Sequence, residues 1–237
     1  MGVKFDFHLR QNYMCDQIKN ALLEWHDEIV PVAINFNDSY FSIHDGLAET
    51  HYVFLEGNNL PNRFNDGFHV AELGFGTGLN LLACWNAWIN SGQSTPLRFT
   101  SFEAFPMKLE DMKRSLKIWP ELKKLSEKML NQLEDGWEIN TPTLQARIII
   151  GDARKTVPNW TETANAWFLD GFSPAKNPEL WGKDLMKSVA SHTAIRGTFS
   201  TYTASGFIRR NLQNAGFTVE RVKGFGPKRH MSIGLKA

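Results

Sequence analysis

Three closely spaced glycines mark the stretch of this sequence that is best suited to binding a ligand. Residues 68–80 read FHVAELGFGTGLN, which predicts a buried strand, a turn at Gly74, Gly76 and Gly78, and then an apolar helix. Glycine allows backbone conformations and close approaches that a side chain would forbid. Such a unit brings the polar groups of a ligand against a helix N-terminus, as in nucleotide-binding α/β domains. A tight turn that binds nothing is the alternative interpretation.

The spacing of the glycines separates two classes of cofactor. Dinucleotide-binding dehydrogenases carry G-x-G-x-x-G, whereas this chain reads G-x-G-x-G, with Glu72 two residues before the first glycine. The pattern E-x-G-x-G-x-G at the end of a first strand resembles motif I of Rossmann-like S-adenosylmethionine methyltransferases.

Three carboxylates follow later predicted strands. Glu103 lies 25 residues after Gly78, close to the spacing at which an acid binds ribose hydroxyls in nucleotide-binding folds. An acid placed there only to suit a helix N-terminus is the alternative. Asp152 and Asp170 also come after strands, and ligands of open α/β sheets bind at the carboxyl ends of strands.

Asp170 ends a buried strand within FLDGFSPAKNPELW, residues 168–181. A buried strand end is an expensive place for an unpaired charge. From its position, Asp170 either caps local backbone amides or acts on a substrate, and the two interpretations stay open.

The order of predicted elements indicates a doubly wound, mostly parallel α/β sheet of seven strands that closes with an antiparallel hairpin. Helices are predicted at about 79–90, over 107–133 with Pro120 dividing the segment in two, and at 204–214. Strands are predicted at 68–73, in LRFTSFEAF, LQARIIIGD, AWFLDGF and TFSTYT, and in the hairpin of FTVERV and RHMSIGL.

The N-terminal quarter is harder to interpret. Residues 1–20 could be a helix or an arm, and WHDEIVPVAINF could hold a short strand. Residues 35–60 suggest a strand, a turn at His44, Asp45 and Gly46, and then a strand or short helix. We expect residues 1–60 to form an arm and a small cap over the ligand mouth, and residues 61–237 to form the main domain.

Composition excludes several classes of protein. A length of 237 residues fits one α/β domain. Cys15 and Cys84 are too few for a disulfide framework or a four-ligand zinc site, no metal site is expected, and Cys84 is predicted to be a buried thiol. No apolar run reaches membrane length and no signal peptide is evident. We therefore expect a soluble cytoplasmic protein without a membrane partner.

Charge is distributed unevenly, although the net charge is only +1. Residues 1–60 carry three basic and nine acidic side chains, whereas residues 191–237 carry eight basic side chains and one acid. This asymmetry indicates a surface for a polyanion near the C-terminus. A solvated basic face without a partner is the alternative.

Several long motifs occur together and in order: VAELGFGTGLN, FEAFP, WFLDGFSPAKNPELW and ASGFIRRNLQNAGFTVERVKGFGPKRHM. Together they resemble the methyltransferase domain of the MnmC family, the bifunctional tRNA 5-methylaminomethyl-2-thiouridine biosynthesis proteins. The resemblance extends from about residue 35 to residue 237. Two departures lie in the basic tail, where the family often has Arg and Glu in place of Pro227 and His230.

The resemblance implies that methyl passes from S-adenosylmethionine to the amine of 5-aminomethyl-2-thiouridine at the tRNA wobble position, leaving S-adenosylhomocysteine. It implies an anticodon-loop partner and a flavin-dependent oxidase, as a fused domain or a separate protein, for the preceding step; no FAD is expected in this chain. The cofactor residues implied or predicted are Glu72, Gly74, Phe75, Gly76, Thr77, Gly78, Asn80, Glu103 (on the ribose), Asp152 (on the adenine amino group) and Ala153. Asp170 would face the substrate amine, and the substrate-binding residues would be Phe172, Lys176, Arg209, Arg210, Lys228 and Arg229.

The chemistry of amine methylation supports a role for Asp170. The nucleophile must be a neutral amine, and an amine with a pKa near 10.4 is less than roughly 0.1% neutral at pH 7. A carboxylate can hold the ammonium, accept its proton and stabilise the positive charge that develops on nitrogen. We therefore interpret Asp170 as the residue that orients the amine and helps to deprotonate it.

Two other functions are compatible with parts of the sequence. A methyltransferase of the same fold could act on a small-molecule or protein amine, although the basic tail and the DGFSPAKNP match favour tRNA. An NAD(P)-dependent oxidoreductase fits the strand, turn and helix but not the glycine spacing.

Overall fold

A computed structural model describes residues 19–42 and 45–237. The prediction of a helix or arm for residues 1–20 falls mostly outside the described residues, as does the part of the predicted turn at His44. Among the residues described, no helix is long and apolar enough to cross a membrane.

The chain begins with a small antiparallel sheet. Its three strands are β1 (Leu23–His26), β2 (Val30–Ala33) and β3 (Asp38–Ser39), in the order β1-β2-β3. The segment WHDEIVPVAINF therefore holds parts of two strands where one was predicted. Positive φ angles at Asp27 and Glu28 turn the chain between β1 and β2, and short polar side chains such as Asp tolerate that conformation better than most.

The main sheet has eight strands in the order β10-β11-β9-β8-β4-β5-β7-β6. They are β4 (His69–Leu73), β5 (Leu97–Glu103), β6 (Glu138–Thr141), β7 (Leu144–Ile150), β8 (Ala164–Leu169), β9 (Thr193–Thr201), β10 (Phe217–Lys223) and β11 (His230–Lys236). Strands β7, β5, β4, β8 and β9 run parallel to one another. Strands β10 and β11 form the predicted antiparallel hairpin, and β11 pairs antiparallel with β9. The doubly wound, mostly parallel α/β fold is confirmed.

The predicted number of strands was one too few. All seven predicted strands are present, and β6 adds an eighth, antiparallel to β7 at the sheet edge. Its four residues bury only Ile139 fully, so the segment lacks the apolar run by which the parallel strands are visible in the sequence. The tight turn back into β7 is held by Thr141, whose hydroxyl oxygen accepts from the Leu144 amide at 2.9 Å.

Seven α-helices accompany the two sheets. They are α1 (Gly46–Thr50), α2 (Leu79–Asn90), α3 (Leu109–Leu116), α4 (Lys123–Leu133), α5 (Ala153–Thr156), α6 (Lys183–Ser191) and α7 (Gly206–Asn214) among the residues described. Helix α1 continues as a wider turn through His51–Leu55 and a tighter one through Glu56–Asn58. The helical alternative was therefore the correct one for the segment after Gly46. Pro120 starts a short 3-10 turn between α3 and α4, as the predicted division requires.

The helix that follows the glycine turn is buried almost all round. Trp85 and Trp88 of α2 are each 1% exposed, and Cys84 is a buried free thiol. An α-helix without a polar face must be covered by other elements. The prediction of a buried thiol at Cys84 is confirmed, and both tryptophans belong to the core.

We call residues 19–42 and 45–60 the cap. Its helical part packs into the main core through Val53, Phe54 and Leu55, which are at most 3% exposed. The Asn58 amide donates to the carbonyl oxygens of Phe54 at 2.9 Å and Trp167 at 3.4 Å. The cap is thus anchored on the sheet, while a domain boundary near residue 60 stays a prediction.

Candidate active site

A cavity of about 580 Å³ opens at the carboxyl ends of the parallel strands, with the cap as one wall. This is the edge at which open α/β sheets bind ligands, and the volume lies in the usual range for small-molecule sites. Nine predicted cofactor or catalytic residues line it: Gly74, Phe75, Gly76, Thr77, Asn80, Glu103, Asp152, Ala153 and Asp170. Phe172 and Lys228, both predicted to bind substrate, line it as well.

The glycine turn follows β4 with a backbone that other residues rarely adopt. Gly74, Gly76 and Gly78 have φ values of +84°, +54° and +80°. A Cβ on Gly74 would lie 3.2 Å from the Gly171 Cα, and one on Gly76 would lie 3.1 Å from the Tyr40 ring. The turn therefore passes close to the loop after β8 and to the cap, and only glycine fits both the conformation and the space.

Gly78 has a different role from the other two glycines. It precedes α2 as the N-cap residue and does not line the cavity, and a Cβ there would meet the Met129 side chain at 2.9 Å. Its place in the turn is therefore explained by close packing of α2 against α4.

Glu103 ends β5 and fixes the shape of the turn. One carboxylate oxygen accepts from the Gly76 amide at 3.0 Å, and the other accepts from the Phe105 amide at 2.8 Å. Each oxygen retains a lone pair, and the side chain is only partly buried at the cavity wall. Glu103 can therefore order the turn and accept a hydrogen bond from a ligand at the same time.

Asp152 caps the short helix α5 after β7. Its side chain accepts from the Arg154 amide at 2.9 Å and pairs with the Arg154 guanidinium at 2.6 Å. The hydrogen bonds from Arg154 hold the pKa of Asp152 below its usual value, so this carboxylate is charged at neutral pH. Ala153 lies beside it, nearly buried, in the cavity wall.

Asp170 follows β8 and faces the glycine turn. One oxygen accepts from the Asn80 side-chain amide and the other from the Gly171 amide, both at 2.8 Å. Burial raises the pKa of Asp170 to about 6, while these two donors act in the opposite direction by favouring the charged form. The two interpretations left open from the sequence are compatible, because Asp170 caps an amide and lines the cavity.

Glu72 differs from the other predicted cofactor residues because its side chain does not reach the cavity lining. It is fully buried beneath the turn, where one oxygen accepts from the Ser101 hydroxyl at 2.6 Å. The other oxygen has no hydrogen-bond partner among the described residues. Burial raises the pKa of Glu72 well above its usual value, which favours a neutral carboxyl group.

Aromatic rings surround the entrance on the side of the cap. The Phe172 ring stacks on Phe36 at 4.6 Å between centroids and meets Tyr40 edge-on at 5.2 Å. Phe105 packs against Phe36 at 5.8 Å. Planar rings at a cavity mouth offer stacking surfaces for a flat ligand.

The loop after β8 is tied to the cap through Asp38. Its carboxylate accepts from the Ser173 amide at 2.8 Å and pairs with the Lys176 ammonium at 3.2 Å. Lys176 also donates to the Asn37 carbonyl. Lys176, predicted to bind substrate, therefore holds the cap in place and does not line the cavity. We call these contacts, with the Phe36–Phe172 stack, the clasp.

The cavity lining also includes an ion pair between the cap and the C-terminal hairpin. The Lys228 ammonium lies 2.6 Å from a Glu49 oxygen and 4.6 Å from the centre of the Tyr202 ring. The Tyr202 hydroxyl donates to the Gly171 carbonyl at 2.8 Å. A basic residue of the tail is thereby brought close to the catalytic candidate Asp170.

The remaining predicted RNA contacts lie outside the cavity. Arg210 and Arg229 are exposed, and Arg209 is partly buried with its Nε donating to the Ala204 carbonyl at 3.3 Å. The structure does not bring these three arginines into the lining, so a contact with a ligand would have to occur on the outer surface.

The sequence interpretation missed the residues that the cap contributes. Asp38, Tyr40, Glu49 and Thr50 line the cavity, as does Tyr202 from the segment after β9. They belong to no motif around the glycine turn, and only folding brings them to it. The expected cap over the ligand mouth was the single signal that could have directed attention to them.

Comparison with known proteins agrees with this geometry. The profile of a family described as S-adenosyl-L-methionine-dependent methyltransferase matches residues 117–237. Two proteins named tRNA 5-methylaminomethyl-2-thiouridine biosynthesis bifunctional protein MnmC are similar over most of the chain. The Methylobacillus flagellatus protein is 41% identical over 225 residues, covering 90% of this chain and 35% of the relative. The Vibrio cholerae protein is 39% identical over 247 residues, covering 94% and 36%. The chain thus spans about a third of the length of these relatives.

Solved structures support the fold. MNMC2 from Aquifex aeolicus superposes with a TM-score of 0.71 at 22% identity, covering 98% of this chain and 78% of that one. Spermidine synthase from Thermotoga maritima superposes with a TM-score of 0.51 at 13% identity, over 91% and 71%. At these identities the likeness concerns the architecture alone.

Proposed function

Because this chain belongs to that family of S-adenosyl-L-methionine-dependent methyltransferases, we propose that it methylates the amine of 5-aminomethyl-2-thiouridine at the wobble position of tRNA, giving 5-methylaminomethyl-2-thiouridine. The observation that carries the proposal is the carboxylate of Asp170, held by two donors in a cavity that also contains the glycine turn. The proposed substrate is supported by the identity of 41% to a relative named for this modification.

The residues of the cavity fit the cofactor. Gly74 and Gly76 keep the turn free of side chains where the backbone passes Gly171 and Tyr40. Glu103 and Asp152 present carboxylates at the ends of two neighbouring parallel strands, β5 and β7, where the hydroxyl and amino groups of a nucleoside can donate to them. When bound, S-adenosylmethionine supplies a methyl group on a positively charged sulfur.

Asp170 is the residue that we assign to the substrate amine. With a pKa of about 6, it is about nine-tenths ionised at pH 7. An ionised Asp170 can accept hydrogen bonds from the ammonium, take up its proton and stabilise the positive charge that develops on nitrogen. Its two protein donors fix the orientation of the carboxylate, and holding the reacting groups in line contributes much of the rate.

The aromatic and basic residues around the entrance suit a nucleotide taken out of a loop. We propose that Phe172 stacks on or encloses the base and that Lys228, Arg209, Arg210 and Arg229 contact phosphates. Sequence-specific RNA recognition commonly uses unpaired loop bases that stack on aromatic side chains. We also infer a cytoplasmic location and a flavin-dependent oxidase, as a fused domain or separate protein, that produces the aminomethyl group.

The test is transfer of labelled methyl to two tRNA pools, one carrying 5-aminomethyl-2-thiouridine and one unmodified. We expect label only in the first pool, because only that base offers the amine. Label in neither pool, from protein that binds S-adenosylhomocysteine, would contradict the tRNA assignment and direct the search to small-molecule or protein amines.

Replacement of Asp170 tests its role in the same assay. We expect Asp170→Asn to lower kcat by roughly a hundredfold or more, since it removes the proton acceptor and the negative charge, while the affinity for S-adenosylhomocysteine changes little. Asp184→Asn, on the exposed side of α6, is the matched control. Full activity of a folded Asp170→Asn protein would contradict the role.

A further inference from the structure

The side chain of Asn80 bridges the cap and the catalytic candidate Asp170. Its oxygen accepts from the Thr50 hydroxyl at 2.8 Å, and its amide nitrogen donates to an Asp170 oxygen at 2.8 Å. Thr50 is 4% exposed and Asn80 is 7% exposed. The three groups therefore form a continuous chain of hydrogen bonds from α1 through α2 to the end of β8.

Thr50 and Asp170 together hold the Asn80 amide in one orientation. An asparagine side chain has an accepting oxygen at one end and a donating nitrogen at the other. An ionised carboxylate only accepts, so the nitrogen faces Asp170, and the Thr50 hydroxyl secures this orientation by donating to the oxygen. The reverse orientation would place two oxygens against each other and leave Asp170 without this donor.

We propose that Thr50 and Asn80 are positioning residues for Asp170, with the Thr50 hydroxyl orienting the Asn80 amide so that it holds the carboxylate ionised and fixed. This assignment rests on the proposed function, because it explains how the carboxylate that receives the amine is kept ready. Thr50, a residue of the cap, would therefore affect the reaction through Asn80 and Asp170 without contacting the reacting atoms.

Other charged and titratable groups around Asp170 also affect its ionisation, in addition to the bridge of hydrogen bonds through Thr50 and Asn80. Glu49 of α1 opposes a negative charge on Asp170, and Lys228 of the hairpin favours it. The charge on Asp170 in turn raises the pKa of the neighbouring Glu72 of β4. Tyr202, after β9, also lies near enough to be affected by the charge on Asp170. A substitution at Thr50 leaves all four side chains in the protein, so a changed titration of Asp170 reports on the bridge.

The experiment compares Thr50→Val, which keeps the shape of the side chain and removes the hydroxyl, with Thr50→Ser, which keeps the hydroxyl. Carbon-13 NMR of labelled aspartate carboxyls follows the titration of Asp170, with the resonance assigned from Asp170→Asn. We expect Asp170 to titrate with a midpoint near pH 6 in the wild type and in Thr50→Ser. In Thr50→Val the midpoint should be higher by about 1 pH unit. Asn80→Ala should raise it at least as far.

The same shift predicts a particular loss of activity. If the midpoint rises from about 6 to about 7, the ionised fraction at pH 6 falls about fivefold, whereas at pH 8 it falls by only about a tenth. The ratio of kcat for Thr50→Val to kcat for the wild type should therefore be low at pH 6 and recover by pH 8. Titration of the substrate amine cancels in this ratio.

An Asp170 midpoint that stays at its wild-type value in Thr50→Val and Asn80→Ala would overturn the proposal, as would an equal shift in Thr50→Ser. If Thr50→Val does not fold, Asn80→Ala decides on the same carboxyl titration. The titration uses no tRNA. Failure of the wild type to methylate tRNA would therefore count against the proposed function alone.

Discussion

Glu72 and Asp170 are two carboxyl groups on neighbouring strands whose surroundings give them different charge states. Asp170 has two backbone or amide donors and an opening to the cavity, so it ionises near pH 6. Glu72 has one hydroxyl donor and no exposure, and burial of a charge without adequate partners favours protonation. A carboxyl group is thus charged at Asp170 and neutral at Glu72.

The neutral state of Glu72 has a measurable effect on stability. Its folded pKa lies well above the usual value of 4.5, so the folded protein keeps a proton that the unfolded chain releases as the pH rises above 4.5. Wild-type protein should therefore lose stability with rising pH by up to about 1.4 kcal/mol per pH unit from this group, until the folded pKa is reached. Glu72→Gln should lack this dependence.

Urea unfolding of wild type and Glu72→Gln at several values between pH 5 and 8 checks this expectation. The difference in unfolding free energy should change in favour of the variant as the pH rises. Glu134→Gln, at an exposed carboxylate, should follow the wild type. Parallel curves for wild type and Glu72→Gln would show that Glu72 is ionised in the folded protein.

At the scale of elements, the loop after β8 has its conformation set by contacts with the cap. The clasp joins residues that are more than 130 positions apart in the sequence, such as Asp38 and Ser173. Its stacked rings, Phe36 and Phe172, close one side of the entrance. Because this loop also carries Gly171 and follows Asp170, a change in the clasp should also affect the active site.

Asp38→Ala removes two of the three hydrogen-bonded contacts of the clasp, those with Ser173 and Lys176, and leaves the one from Lys176 to the Asn37 carbonyl. We expect faster hydrogen exchange of amides in residues 171–177, because the Ser173 amide loses its acceptor, and a severalfold higher KM for the substrate. The melting temperature should change by only a few degrees, since the core is untouched. Asp66→Ala, which removes an acceptor for Ser94 and Thr95 in a loop outside the cavity lining, should leave exchange at 171–177 unchanged. Unaltered exchange there in Asp38→Ala would exclude a role of the clasp in ordering the loop.

At the scale of the whole molecule, the fold brings the acidic N-terminal part of the chain against the basic C-terminal part at the entrance. Acidic residues of the cap, such as Glu49, meet basic residues of the C-terminal region, such as Lys228. Arg210 and Arg229 remain exposed outside this pair. An approaching phosphate backbone would therefore meet exposed guanidinium groups on the outer surface and an ion-paired ammonium at the entrance.

The exposed arginines should make tRNA binding depend on salt. Each phosphate contact contributes about 0.7 to the slope of log K against log salt for single-stranded RNA. Arg210→Ala with Arg229→Ala should lower this slope by about 1.4 and weaken binding most at low salt. Lys123→Ala with Lys124→Ala, a pair of exposed residues on α4, is the control of equal charge. An unchanged slope in the arginine pair would place the RNA on another face.

The sequence by itself determined that the sheet is mostly parallel and which groups follow its strands. Apolar runs such as those of β4 and β8 are local and long enough to identify buried strands, and the glycine spacing identified the turn because backbone sterics act within a few residues. The positions of Glu103, Asp152 and Asp170 at one edge then followed from the rule that parallel strands end on the same side.

Only the tertiary structure decided what surrounds Asp170. Thr50, Glu49, Asp38 and Tyr40 come from the cap, and Tyr202 and Lys228 come from the opposite end of the chain. Nothing in the local sequence distinguishes the four cap residues or Tyr202 from surface residues. Lys228 was predicted to bind substrate, but its pairing with Glu49 was not predicted. Lys176 and Glu72 lie outside the cavity lining. Hydrogen bonds and charge interactions depend on distances of a few ångströms between distant segments, and these distances exist only once the cap has packed on the sheet.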